Sequence, residues 1–326
     1  MAATNTRGIF SLLDVRERQG AGVWSTKGDV WLTPSPFLFI GPAPFGYFAG
    51  GYTSDEVSTI QRIDYSNDTP TASVKGSLSL ARRQLAATGN ANFGYFGGGG
   101  DPSYADQMTI VDRIDYTNDT VAALPKGTFS SARRRLAATG NANFGYFGGG
   151  NIPAKVDRID YSNDTATAAP KGNLSSGRDD LAATGNTSFG YFGGGSNKSF
   201  VDRIDYGSDT VTASPKGPLS DARHELAATG NASFGYFGGG TPSPVSTVDR
   251  IDYSNDTADA APKGPLTAAT QYLAATSRKA YGLPYTGDIS PPATNFGYFG
   301  GGVLGSPTYA SISTVDRVDY TNDTVE

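Results

Sequence analysis

Phe-Gly-Tyr-Phe-Gly-Gly-Gly at residues 144–150, followed by Val-Asp-Arg-Ile-Asp-Tyr-Ser-Asn-Asp-Thr at residues 156–165, is the stretch that decides the fold, because the pair recurs along the whole chain. The first motif begins at Phe45, with Ala49 in place of the first of its three glycines, and again at Phe93, Phe144, Phe189, Phe234 and Phe296, at spacings of 48, 51, 45, 45 and 62 residues. A period of roughly 45 residues that carries several short strands is the length of a propeller blade, and the 3.6-residue apolar rhythm of a helical repeat is missing. The second motif, at Val111, Val156, Val201 and Val248 with variants at residues 62–65 and 315–320, alternates as a half-buried strand does. Ser-Asn-Asp-Thr supplies a tight turn. A Thr/Ala/Val strand follows, ending at Lys75, Lys126, Lys171, Lys216 or Lys263, each before a glycine, and Leu85, Leu136, Leu181, Leu226 and Leu273 open the next unit.

Each unit therefore holds four strands, named a (Leu-Ala-Ala-Thr), b (Gly-Tyr-Phe-Gly), c (Val-Asp-Arg-Ile-Asp) and d from the axis outward. With the repeat as a ruler, Lys27-Gly28 precedes Phe37 as Lys216 precedes Leu226, so residues 37–40 read as strand a of blade one. The chain ends at the start of a strand d, and residues 23–26 carry the remainder of that strand. The expectation is an all-β, six-bladed propeller over residues 22–326, closed by an N-terminal strand, with residues 1–21 as a short helical arm. Closure removes open sheet edges, so deleting residues 1–28 is expected to lower the melting temperature strongly; an unchanged melt would sink that closure.

The paired glycines ending strand b, the Tyr ending strand c and the Arg before strand a (Arg82, Arg133, Arg178, Arg223) resemble the kelch repeat over most of the chain. Pro34 and Thr270 stand where that Arg is expected, and the kelch Trp of strand d is missing from the full repeats. The uniform tandem motifs after Arg7-Gly-Ile-Phe-Ser-Leu also look like kelch-like virion proteins of marine tailed phages, including cyanophages. That resemblance implies a place on the particle exterior, in a tail fibre or other appendage, and a structural or host-adhesion role. It also implies synthesis in the host cytoplasm.

Composition narrows the function classes. The 326 residues include 43 Gly and 19 Pro, no Cys, and a net charge of -5. Without cysteine there are no disulfides or thiolate metal sites, and without a basic tract nucleic-acid binding is disfavoured. The run Arg133 to Arg135 reads as a solvated rim. No apolar stretch is long enough for a membrane span, and no signal-peptide core precedes Phe10. The one histidine, His224, with Ser220 nearby, does not make a convincing catalytic triad. A copper centre of His, Tyr and Cys cannot be assembled, the Asn-Asp-Thr turns lack the glycine and final glutamate of a calcium loop, and the strand-c arginines read as a structural Asp/Arg ladder. The expectation is a non-enzymatic protein without cofactor or metal.

Comparing the six copies with one another separates scaffold from candidate site. Strands and c–d turns barely change, whereas the b–c connections and the pairs before strand a vary, and these emerge on one face of the disc. Loops on a rigid scaffold are where recognition resides, although tolerant surface loops vary in the same way. Candidate recognition residues on that face are Tyr52, Tyr104, Arg134, Arg135, Asp179, Asp180, His224, Glu225, Tyr272 and Tyr309, the tyrosines being able to stack on sugar rings. Candidate assembly contacts are Phe10, Leu12, Leu13 and Val15 of a two-turn helix capped by Ser11, together with Tyr281 and Tyr285 in the 19-residue insertion 277–295 between strands a and b of the last blade. So short a helix is unstable alone; it docks on its own propeller or on another subunit. The expected partners are other virion proteins, a host-surface glycan or receptor, and further copies of the chain. Readings carried alongside are a capsid or tail connector and, more distantly, a glycan-processing enzyme.

Overall fold

The computed structural model describes residues 45–52, 55–65, 67–100, 107–151, 154–277, 296–304 and 310–325. They form a six-bladed β-propeller. Five blades carry strands a, b, c and d as antiparallel meanders in chain order, and the first carries b, c and d among the described residues. Blade four is representative: Ala182–Gly185, Phe189–Gly193, Val201–Asp205 and Ser214–Lys216. Strand a of blade one, the N-terminal arm with Phe10, Leu12, Leu13 and Val15, the closing residues 23–26, the insertion with Tyr281 and Tyr285, and Tyr104 and Tyr309 lie outside the described residues. On the last blade Thr324–Val325 begins strand d and pairs with Val318 and Asp319. Further along the same edge Val315 is 45% exposed, whereas Val201 and Val248 in its place are fully buried.

The motif's two aromatics face opposite ways because a blade is covered on both sides. Tyr146 packs toward the next blade with Val156, against Phe192, Ile204 and Tyr206, while Phe147 points back onto Tyr95 and Val111 of the preceding blade. Tyr146 and Tyr206 stack with ring centroids 4.7 Å apart, and equivalent pairs recur at every joint, including Tyr65 on Tyr298 between blades one and six. Offset stacking of this kind adds to plain area burial. The first glycine of each triplet makes room for the ring that arrives: a Cβ on Gly148 would lie 2.7 Å from Phe192, and one on Gly193 2.6 Å from Phe237. The second and third glycines take left-handed backbone, as at Gly194 (φ +68°) and Gly195 (φ +92°), which only glycine adopts freely.

Two polar systems join the blades. In the first, the turn aspartate of one blade collects three donors from the blade before it. Asp209 accepts from the Tyr146 hydroxyl at 2.8 Å and Arg158 at 2.7 Å, with Lys171 at 3.2 Å. Asp119, Asp164, Asp256 and Asp323 repeat this at the neighbouring joints. Burial alone would raise the Asp209 carboxyl, but the hydrogen bonds from Tyr146 and Lys171 and the charges of Arg158 and Lys171 outweigh it and hold the group below its ordinary range. At the ring-closing joint Asp68 accepts from Tyr298 at 2.7 Å and Arg317 at 3.3 Å. The strand-c arginines are therefore an Asp/Arg ladder, as the sequence suggests, but their carboxylate comes from the next blade's turn. Turn stabilisation falls to the other aspartate: Asp160 Oδ1 accepts from the backbone and hydroxyl of Ser162.

The second system buries the arginine before strand a. Arg178 meets Asp202 at 3.0 Å with both side chains fully enclosed, and Arg82–Asp112, Arg133–Asp157 and Arg223–Asp249 match it. This corrects the sequence reading of Arg133 to Arg135 as a solvated rim. Arg133 is 0% exposed and also donates to the carbonyls of Gly149 and Lys155.

Candidate functional site

The variable segments do share one face, and they are stitched together there. The b–c connection of each blade lies between the residue pair that opens its own strand a and the pair that opens the next. Gly100 bridges Arg83 and Met108 bridges Arg133; Lys198 bridges Arg223, and Thr241 bridges His224. In the last blade this contact lengthens into a ribbon of Thr270–Gln271 with Val303–Leu304. Side chains reinforce it: Ser196 donates to Asp179 at 2.7 Å, and His224 Nδ1 lies 2.6 Å from Asn197 Oδ1. Where they are described, the connections are thus tied to the residues that open the strands a.

At the axis the face closes into a feature that the residue types do not announce. The residues just before strand a, Gln84, Arg135, Asp180, Glu225 and Tyr272, all take left-handed backbone with φ between 52° and 60°. Each donates its amide to the carbonyl of the previous one: Arg135 to Gln84 at 2.9 Å, Asp180 to Arg135 at 2.9 Å, Glu225 to Asp180 at 2.8 Å, and Tyr272 to Glu225 at 2.9 Å. Such backbone costs an L-residue about 1–2 kcal/mol, and the chain of hydrogen bonds holds it in place. A cavity of about 200 Å³ runs past Ala87, Ala138, Ala183, Ala228 and Ala275 of the strands a towards the a–b turns at Thr88, Thr184, Thr229 and Ser277, and none of the five ring residues lines it.

Several side chains of the ring and its neighbours pair with one another. Arg135 lies 3.3 Å from Asp180 and 3.5 Å from Asp179. His224 Nε2 is 3.7 Å from Glu225. Glu225 accepts from the Tyr272 hydroxyl, and burial together with that carboxylate holds the phenol in its protonated form; Asp180 and Arg135 are also within electrostatic reach of it. Burial pushes the Asp180 carboxyl up to about 7, with Asp179 and Glu225 adding to the rise and Arg135 opposing it. A raised carboxyl binds its proton more tightly in the folded state than in the unfolded chain. Its contribution is therefore present below the ordinary aspartate range and is lost as pH rises through about 7. Asp180→Asn is accordingly expected to raise the melting temperature above pH 7 and to have little effect near pH 4, checked by thermal melts across that range. Equal shifts at both ends would rule out the titration.

Of the predicted recognition residues, the structure thus gathers Arg135, Asp179, Asp180, His224, Glu225 and Tyr272 in and beside the left-handed ring. Arg134 is half-buried beside them. Tyr52 belongs to another cluster, where the Arg83 guanidinium lies 4.8 Å above its ring and pairs with Glu56 at 3.2 Å. Gln84 and the partners Ser196 and Asn197 were not among the predicted recognition residues. Their variability placed them on the face, but the left-handed ring left no glycine or asparagine signal. Ser220 hydrogen-bonds Asp249 at 3.0 Å. Among the described residues no group of three His, Asp or Glu side chains is placed to hold a metal ion.

No protein-family model matches the chain, and no curated protein matches its sequence.

Proposed function

We propose that this protein is a non-enzymatic, kelch-like virion component of a tailed phage, exposed on the particle exterior as part of a tail fibre or appendage, which presents its variable face to a glycan or receptor on the host surface. The observation that carries this reading is the division of variation within one molecule. In blades two to five the a–b turns of the opposite face repeat a single Asn-centred hairpin, in which Asn90, Asn141, Asn186 and Asn231 each accept two backbone amides. The b–c connections and the pairs before strand a differ in every copy, although all copies share one scaffold. The resemblance of the tandem motifs and of the start of the chain to marine phage virion proteins supplies the setting. Many copies on one particle let weak single contacts add up.

The test is to exchange the b–c connections and the strand-a pairs for those of blade three within the full chain and rebuild the phage. Loss of host attachment by intact particles is the expected outcome. Particles that fail to assemble would instead make the protein a capsid or tail connector, with loops shaped by neighbouring subunits.

A further inference from the structure

We infer that the axial ring is a saccharide-binding site in which a pyranose ring stacks on Tyr272 while its hydroxyls bond Arg135 and Asp179. The inference rests on the recognition reading above and goes beyond it by naming the subsite and the ligand chemistry.

The first argument comes from the backbone. This chain puts glycine at both of the other recurrent left-handed positions of every blade, the second and third residues of each triplet. At the five ring positions, where the backbone is equally left-handed, it carries Gln84, Arg135, Asp180, Glu225 and Tyr272 instead. A scaffold position with that geometry is best served by glycine or asparagine. Five large polar side chains held against that preference point to a use for the side chains themselves.

The second argument is what these side chains offer. Tyr272 is 51% exposed and so presents a free aromatic surface. The Arg135 and Asp179 side chains are each about a third open, at 29% and 31%. Behind them Asp180 and Glu225 are about nine-tenths enclosed and hold the other two: Asp180 pairs with Arg135, and Glu225 accepts from Tyr272. Arg135 and Tyr272 open blades three and six, and the two side chains lie within electrostatic reach of each other. An aromatic platform with one planar donor and one planar acceptor in the same cluster, its charges largely paired among themselves, fits a neutral polyol. A strongly charged ligand would leave one sign of this set unmatched.

The test uses the full chain on an array of immobilised neutral hexose and amino-sugar tetrasaccharides, together with cells of the phage's host. Wild type is expected to bind at least one array member. Tyr272→Gly and Arg135→Gly are expected to weaken that binding by about tenfold or more, the scale of losing roughly 1.4 kcal/mol. Both should keep or raise the melting temperature, because glycine relaxes the left-handed backbone. Tyr52→Ala, in the separate Arg83 cluster, should bind as wild type. Ring variants that bind within about twofold of wild type overturn the inference, as do ring glycines that lower the melting temperature and so expose a structural role. Host-cell binding that survives periodate oxidation of the surface glycans, with no array signal, overturns the saccharide inference and leaves a protein receptor. No binding to cells at all overturns the recognition reading itself.

Discussion

Asp202→Ala is expected to destabilise the propeller by about 3–5 kcal/mol, the scale for removing one partner of a buried ion pair. Arg178 and Asp202 meet at 3.0 Å with both side chains fully enclosed, and Arg178 has one other acceptor, the Phe192 carbonyl at 3.0 Å. Burial already pulls the Arg178 guanidinium below its ordinary value, which shows desolvation working against the Asp202 charge. Without the carboxylate that charge has no counter-ion, and Ser175 loses the acceptor of its amide as well. For a domain of this size the loss corresponds to a fall of about 5–8 °C in melting temperature. The damage lies in the leftover charge, so Arg178→Met combined with Asp202→Leu should recover most of it. The last blade lacks the pair: Thr270 stands in the arginine position, and Asp316 keeps the bond to Thr267 at 2.6 Å that matches Ser130 on Asp157 in blade three. A double variant as unstable as the single one would contradict this account.

The second large effect is expected at Gly172. A Cβ there would sit 1.8 Å from the Val211 carbonyl oxygen and 2.3 Å from its carbon, so the obstruction is backbone, which cannot rotate away. The Gly172 amide also donates to the Asp209 carbonyl at 2.9 Å, in the same turn whose carboxylate collects Tyr146, Arg158 and Lys171. A methyl group therefore wedges open an entire joint. Gly172→Ala is expected at or above the top of the roughly 1–3 kcal/mol range for overpacking, read from a chemical denaturation midpoint with unchanged slope. Gly207 is the control: its nearest neighbour would be Asp205 Oδ1 at 3.3 Å, and serine there would restore the bond that Ser162 makes to Asp160 at 2.6 Å. Gly207→Ser should hold or raise the midpoint. If both variants behaved alike, close approach between blades would not be what selects glycine after each lysine.

Most of the fold was legible because one unit explains itself six times. Strand order, the alternating faces of Tyr146 and Phe147 and the place of the glycines all follow from a repeat that must bury both sides of every sheet. What could not be read was which partner each charged group takes. Asp157 and Asp164 are seven residues apart in one copy of the motif. The first turns back to Arg133, which opens its own blade, while the second reaches Arg113 of the blade before. Sequence distance carries no information about that choice; only the pleat of strand c and the packing of blades do. The candidate site shows the same limit. Variation located Arg135, Asp180, Glu225 and Tyr272 on one face, but their left-handed backbone is imposed by the hydrogen bonds between blades and leaves no mark in the residue types.

The joint between blades six and one differs in degree from the rest. Among the described residues Asp68 takes Tyr298 and Arg317 with no lysine, Arg317 lies at 3.3 Å where Arg158 and Arg203 reach their aspartates at 2.7 Å, and the Asp68 side chain is 20% exposed where theirs are 8%. Of the six strand-c arginine pairs this one is the longest and the most open to solvent, so added salt screens it before the other five.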